Sequence, residues 1–245
     1  MIPKVIHYIW FGGNPFPEKV AYCIETWKKH LPDYQFILWN EESFDVHSCK
    51  FTEEAYAHKK WAFVSDYVRV YALYHLGGWY LDTDIEILRP LHPLEANRVV
   101  LGTDEGGYLT ALMGAEKEHP FFKDILEHYL NTSFVQKNGS LNMEVNNTYL
   151  QDLLRKYGYQ IKNQYQELSE GIKVYSDDYF HVVSLTTGNK HLTENSYAIH
   201  WHTLLWVSKQ TKSIRFIRMR ILAPILGGER YTKIASFVKS LWKRK

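Results

Sequence analysis

Two aspartates one residue apart, Asp82 and Asp84, close the stretch Gly77-Gly78-Trp79-Tyr80-Leu81-Asp82-Thr83-Asp84-Ile85-Glu86. In an extended segment alternate side chains share a face, so both carboxylates reach one point. Such anions repel unless a cation sits between them, and a divalent metal carrying a phosphorylated ligand is the usual solution. Asp-x-Asp is also common as an acidic turn in solvent, so the surroundings decide. A second polar pair, Asp66 and Arg69, lies three residues apart in a helix-period segment from Lys60 to Leu76. Val64, Tyr67, Val68, Tyr71, Ala72 and His75 make one stripe of that segment. Asp66 and Arg69 lie opposite, beside Ala62 and Leu73. Apolar residues on both sides predict a helix buried nearly all round. A buried Asp–Arg pair is expensive to keep without a use, although a structural ion pair is the plain alternative.

The elements that must position these groups read as alternating strands and helices. Lys4 to Trp10 is a β-branched and aromatic run ended by Phe11-Gly12-Gly13-Asn14-Pro15. Pro17 then opens a helix to His30 with Val20, Ile24 and Trp27 in register, and Tyr34 to Trp39 is a second strand. Strand, helix, strand at this spacing predicts a parallel sheet with right-handed crossovers. Glu41 to Lys60 reads as a loop with a short helix. Trp79 to Leu81, Arg98 to Leu101, Tyr108 to Gly114, Ile172 to Tyr175 and Tyr197 to Trp201 read as strands. Pro120 to Leu130 and Met143 to Tyr157 read as helices. His200 and His202 alternate in the last strand, so they share a face. His191 and His202 read as packed histidines.

With 245 residues, 45% hydrophobic and 23% charged, the chain supports one sizeable core. The 16% aromatic content suits a carbohydrate site but equally suits a core. Cys23 and Cys49 lack metal spacing and suggest a reducing compartment without a disulfide framework. Met1 to His7 reads as the start of a strand rather than a signal peptide, and no apolar run is long enough to cross a membrane. Charge is divided: residues 207–245 carry eleven Lys and Arg against one acid, Glu229, whereas residues 1–206 are acidic on balance. Ile214, Ile217, Ile221 and Ile225, and then Tyr231, Ile234, Val238, Leu241 and Trp242, recur at helical spacing among those cations. Two short basic amphipathic helices are the pattern of a segment lying in a membrane interface. The expected partner of this tail is an anionic bilayer rather than nucleic acid, with a pair of helices packed on the main domain as the alternative.

Taken together, His7-Tyr8-Ile9-Trp10-Phe11-Gly12-Gly13, Ser65-Asp66-Tyr67-Val68-Arg69, Gly77 to Asp84, Tyr197-Ala198-Ile199-His200 and Trp206 resemble glycosyltransferase family 32. That family is related in its catalytic core to the large clostridial glucosylating toxins. The resemblance implies an α/β GT-A fold over residues 1–206: a Rossmann-like, mostly parallel sheet with flanking helices and the nucleotide at the carboxyl ends of the strands. It also implies that Trp10 stacks on the base and that Asp66 and Arg69 bind the donor sugar or phosphate. Asp82, Asp84 and His200 would hold Mn²⁺ or Mg²⁺, with Asp82 also contacting the ribose; Asp66, Arg69 and Asp84 are the catalytic candidates. The implied reaction is retaining transfer of a hexose from a nucleotide sugar, with UDP-glucose and UDP-galactose foremost, to a glycan or lipid-linked glycan in cell-surface polysaccharide synthesis. The expected location is the cytoplasmic face of the cell membrane. Thr110 and Val145-Asn146-Asn147-Thr148 depart from the family pattern, which leaves sugar specificity open. Asp104 and Glu105 are acids in a loop that nothing in their spacing singles out. A metal-dependent phosphohydrolase would place Asp-x-Asp after the first strand with Thr where this chain has Glu86; a non-catalytic sugar-nucleotide or glycan-binding module is the other alternative.

Overall fold

The computed structural model describes residues 1–104, 107, 109–144, 146–185 and 187–203. β1 (Val5–Ile9), α1 (Glu18–His30) and β2 (Gln35–Trp39) form the expected unit, with β1 and β2 parallel from Val5↔Gln35 to Ile9↔Trp39. Pro17 precedes the first turn of α1, where its fixed φ fits and its missing N–H costs nothing. Val20, Cys23, Ile24 and Trp27 are its buried face. The stretch before the next helix contains α2 (Lys50–Ala57). α3 (Trp61–Leu76) is buried on nearly every side, as its composition requires; only its end emerges, leaving His75 exposed. Gly77 (φ 66°) and Gly78 (φ 102°) stop it. A Cβ on Gly78 would stand 2.7 Å from the Val5 carbonyl oxygen, so glycine is what lets β3 (Gly78–Leu81) lie beside β1.

Seven strands follow the order β2-β1-β3-β6-β5-β8-β7, with β5 Val99–Gly102, β6 Leu112–Ala115, β7 Gln166–Glu167 and β8 Ile172–Tyr175. β2, β1, β3, β5 and β8 run the same way, and β6 and β7 run against them. This is the mostly parallel sheet of the expected α/β architecture, and its like-directed strands present their carboxyl ends on one side. Ile9, Tyr80, Leu101, Met113 and Val174 belong to one apolar core with α2, α3, α4 (Pro120–Leu130) and α5 (Asn146–Lys156). On the alternate side of β1, Tyr8 meets Trp27 of α1 edge-on at 5.5 Å. α6 (Asp177–Phe180) follows β8. A separate two-stranded sheet pairs β4 (Ile85–Ile87) with β9 (Ala198–His200), antiparallel.

Two expected boundaries move for physical reasons. The strand expected from Tyr108 pairs only from Leu112: Ala111 still accepts the Asp82 N–H at the end of the β3–β6 ladder, but the Thr110 carbonyl is diverted to Arg69. The helix expected from Met143 starts at Asn146, since Asn142 Oδ1 captures the Glu144 N–H in a local turn. Cys23 and Cys49 are buried free thiols.

The chain divides into two compact units, Met1–Val182 with Leu192–Trp201, and Val183–His191 with His202–Lys245. Every strand and helix named above lies in the first. In the second, Val183 and Lys190 form an isolated bridge, and the buried His202 ring lies 3.1 Å from the Val183 carbonyl. His191, expected to be packed, is exposed. The amphipathic tail, Trp206 and Glu105 lie outside the described residues, and among the described residues no helix is long and apolar enough to cross a membrane.

His7 ties the centre of the sheet together. The Trp39 indole N–H donates to its Nδ1 at 3.2 Å, so its Nε2–H donates to the Gly77 carbonyl at 2.8 Å. Burial lowers its pKa from 6.5 to about 4. Between those values the unfolded chain takes up a proton that the folded chain refuses, so stability present above pH 6.5 is lost as pH falls through the window. The loss from this residue reaches about 3 kcal/mol. Urea midpoints at pH 7 and pH 5 should fall for the natural chain, and fall less for His7→Phe, whose midpoint at pH 7 is lower because Trp39 and Gly77 lose their partner. Equal slopes in the two proteins would remove His7 from this role.

Candidate active site

The Asp82-Thr83-Asp84 segment is not extended, as its spacing suggested. It is a tight turn closed by the Ile85 N–H on the Asp82 carbonyl at 3.0 Å, because the chain must pass from the large sheet to the small one within these residues. The turn still brings the two carboxylates together. Asp82 leaves the carboxyl end of β3, while Asp84 is buried just before β4. The β4–β9 register sets Ile85 opposite His200, and the Trp201 N–H donates to the Asp84 carbonyl at 3.1 Å. His200 Nε2 therefore lies 3.4 Å from Asp84 Oδ1, and one donor atom each of Asp82, Asp84 and His200 falls within 4.8 Å of the others. Two hard carboxylate oxygens with one imidazole suit Mn²⁺, and Mg²⁺ less well, so the residues fit the expected metal. Glu86 is held elsewhere, accepting from the Tyr22 hydroxyl and the Trp201 indole.

Behind the carboxylates stands Arg69. Its Nη2 is 3.2 Å from Asp66 Oδ1 and its Nη1 3.6 Å from Asp82 Oδ1. It also donates from Nε to the Ser65 carbonyl and from Nη1 to the Thr110 carbonyl, at 3.2 and 3.0 Å. The guanidinium carbon lies 4.6 Å from the Tyr80 ring centre, and the Tyr80 hydroxyl donates to Asp82. Asn146 Nδ2 donates to Asp66 Oδ1 at 2.9 Å, beside a small pocket between Phe51, Phe63, Tyr129 and Tyr149. Burial raises the pKa of Asp66 and of Asp82, against the attraction of Arg69. For His200 burial acts to lower the pKa, but the Asp84 carboxylate and its hydrogen bond outweigh it and hold the ring above its ordinary value.

The structure thus gathers Asp66, Arg69, Asp82, Asp84 and His200. Trp10 stands at the exit of β1, half-buried, its N–H donating to the Asn14 carbonyl and its ring edge-on to Phe16. Four residues of the site were not singled out by sequence. Tyr80 had a signal, since it sits two residues before Asp82 on the same face of a strand. Asp104 had one too, since it is buried just past the carboxyl end of β5, where its charge acts on His200. Asn146 lies in the stretch 145–148 already marked as a departure bearing on sugar specificity; His181 had no signal, and tertiary packing alone brings it in.

Residues 17–101 match the family model for the glycosyltransferase sugar-binding region containing a DXD motif. The chain resembles the DXD glycosyltransferases. The resemblance read from its motifs therefore holds. Inositol phosphoceramide mannosyltransferase 1 of Schizosaccharomyces pombe is 33% identical over 133 residues, 49% of this chain and 40% of that protein. Mannosyl phosphorylinositol ceramide synthase CSH1 of Saccharomyces cerevisiae is 30% identical over 147 residues, 55% of this chain and 38% of that protein. The chain spans about two fifths of the length of these curated relatives. The solved structure of PaToxG Glycosyltransferase aligns with 63% of this chain and 68% of its own, at a TM-score of 0.47 and 19% identity.

Removing the buried cation leaves the half-buried Asp66 and Asp82 carboxylates without their shared partner. Arg69→Ala should therefore lower unfolding free energy in urea by about 3–5 kcal/mol. Adding Asp66→Asn should recover part of that loss, because one of the stranded charges is gone. An unchanged midpoint in the single variant would show that the pair carries no stability.

Proposed function

We propose that the chain is a metal-dependent glycosyltransferase that moves a hexose from a nucleotide sugar to a hydroxyl of a lipid-linked glycan or glycolipid in cell-surface glycan assembly. The observation that carries this reading is the convergence of Asp82, Asp84 and His200 beside the fixed cation Arg69, at the carboxyl ends of the strands. Open α/β sheets bind ligands there. A nucleoside diphosphate departs poorly unless its charge is neutralised. Asp82, Asp84 and His200 would hold Mn²⁺ or Mg²⁺, which supplies that neutralisation as a Lewis acid. Arg69 adds a positive charge already in place, needing no reorganisation when the reaction occurs. Asp66, fixed by Arg69 and Asn146 at the mouth of the small pocket, is set to accept from sugar hydroxyls. Trp10, at the exit of β1, offers a ring to the base.

Among the described residues, Asp66 and Asp82 pair with Arg69, and Asp84 pairs with His200. That arrangement favours front-face substitution with retention over attack by a carboxylate nucleophile. The relatives named for mannosyl transfer put GDP-mannose beside UDP-glucose and UDP-galactose as donors to test, and their named lipid supports a membrane-borne acceptor.

The purified chain should release nucleoside diphosphate from one of these three donors with Mn²⁺ and from none with EDTA. Asp84→Asn should lower that rate on the order of 10²-fold or more with little change in Tm, since the amide keeps the carboxylate's volume. Trp10→Ala should raise the KM for donor. Metal-independent release, or full activity of Asp84→Asn, would sink the reading.

A lipid-borne acceptor also gives the basic segment 211–245 a use. Each Lys or Arg near an anionic leaflet contributes about 1 kcal/mol. The full chain should float with phosphatidylserine-containing liposomes at low salt, and a version ending at Ser208 should not. Both forms staying with the soluble fraction would refute membrane attachment.

A further inference from the structure

We infer that His181, placed by the end of α6, is a positioning residue that fixes which nitrogen of His200 faces the metal. The inference rests on the reading of Asp82, Asp84 and His200 as the metal-holding group. His200 presents Nε2 to Asp84, and its Nδ1 lies 3.4 Å from His181 Nδ1. The ring centres are 5.4 Å apart at 66°, so neither ring stacks on the other and the nitrogen edge is the point of contact. An imidazole that coordinates through Nε2 keeps its proton on Nδ1 and donates it to a neighbour, which sets both ring orientation and ligand basicity. That neighbour must offer a lone pair.

His181 is built to offer one. His181 is buried, with its Nδ1 turned to His200. Its far edge, Nε2, lies over Gly102. A Cβ at Gly102 would stand 2.6 Å from the Phe180 ring and 3.2 Å from His181 Nε2. The last residue of β5 is therefore a glycine where Phe180 and His181 need the space. At the other side the His181 backbone N–H donates to the Asp177 carbonyl at 2.7 Å, closing α6 and fixing the root of the ring. In the tautomer with its proton on Nε2, the edge over Gly102, Nδ1 carries the lone pair that His200 requires.

The test is Mn²⁺ affinity of the full-length protein without donor, read from the electron paramagnetic resonance signal of free Mn²⁺. His181→Phe fills the space but accepts nothing, and should weaken binding about 10–100-fold, the usual effect of losing a partner behind a metal ligand. His181→Asn places an amide oxygen where Nδ1 stood and should restore most of the affinity. Thermal melts establish that the variants fold, with His181→Leu replacing the Phe variant if that one does not. Natural affinity in the folded apolar variant, or equal losses in the apolar and Asn variants, overturns the role of His181. Asp84→Asn and His200→Ala separate the two readings: if they lose Mn²⁺ while His181→Phe does not, only this inference fails. If they bind Mn²⁺ as the natural chain does, the metal reading fails and the role of His181 fails with it.

Discussion

Burying the Arg69 guanidinium sets the terms for everything around it. A guanidinium cannot shed its charge in a protein, so the fold must bring compensation to it. That demand explains features that otherwise look unrelated. Two carboxylates from different elements approach within ion-pair distance, a tyrosine ring lies under the cation, and the segment before β6 abandons its ladder so that a carbonyl can reach in. The compensation is incomplete by design of the surroundings: burial still pushes the Asp66 and Asp82 carboxyls up. Such carboxylates stand to gain from further positive charge, and the open side of Asp82 is where Asp84 and His200 lie.

The parts of this arrangement that were legible in the sequence are those written in short-range periodicity. The first strand–helix–strand unit, the all-round apolar pattern of α3 and its Gly-Gly stop each follow from neighbours within one or two turns. Asp66 and Arg69 could be paired because a helix fixes what lies three residues apart. The Asp82–Asp84 convergence was anticipated, but for an incorrect geometric reason: the segment turns rather than extends. A chain leaving one sheet for another has no local signature in three residues. β4 was missed for the same reason, being too short to show alternation, and Asn146 and His181 enter the site through packing that no spacing encodes.

The family similarity and the geometry cover different stretches. The matched region contains Asp66, Arg69, Asp82 and Asp84 and ends at residue 101. Asp104, Asn146, His181 and His200 lie beyond it, so their place in the site rests on the fold.

The β4–β9 ladder also has a consequence in time. It joins the residue after Asp84 to one near the end of the described chain, with nearly half of the protein between them. Closing so long a loop comes late in folding, since its entropy must be met by contacts already made. During synthesis, a ribosome that has not yet released the segment around His200 carries a chain with both aspartates but no imidazole beside them. The three side chains Asp82, Asp84 and His200 therefore come together only once the segment around His200 is free to pair with β4.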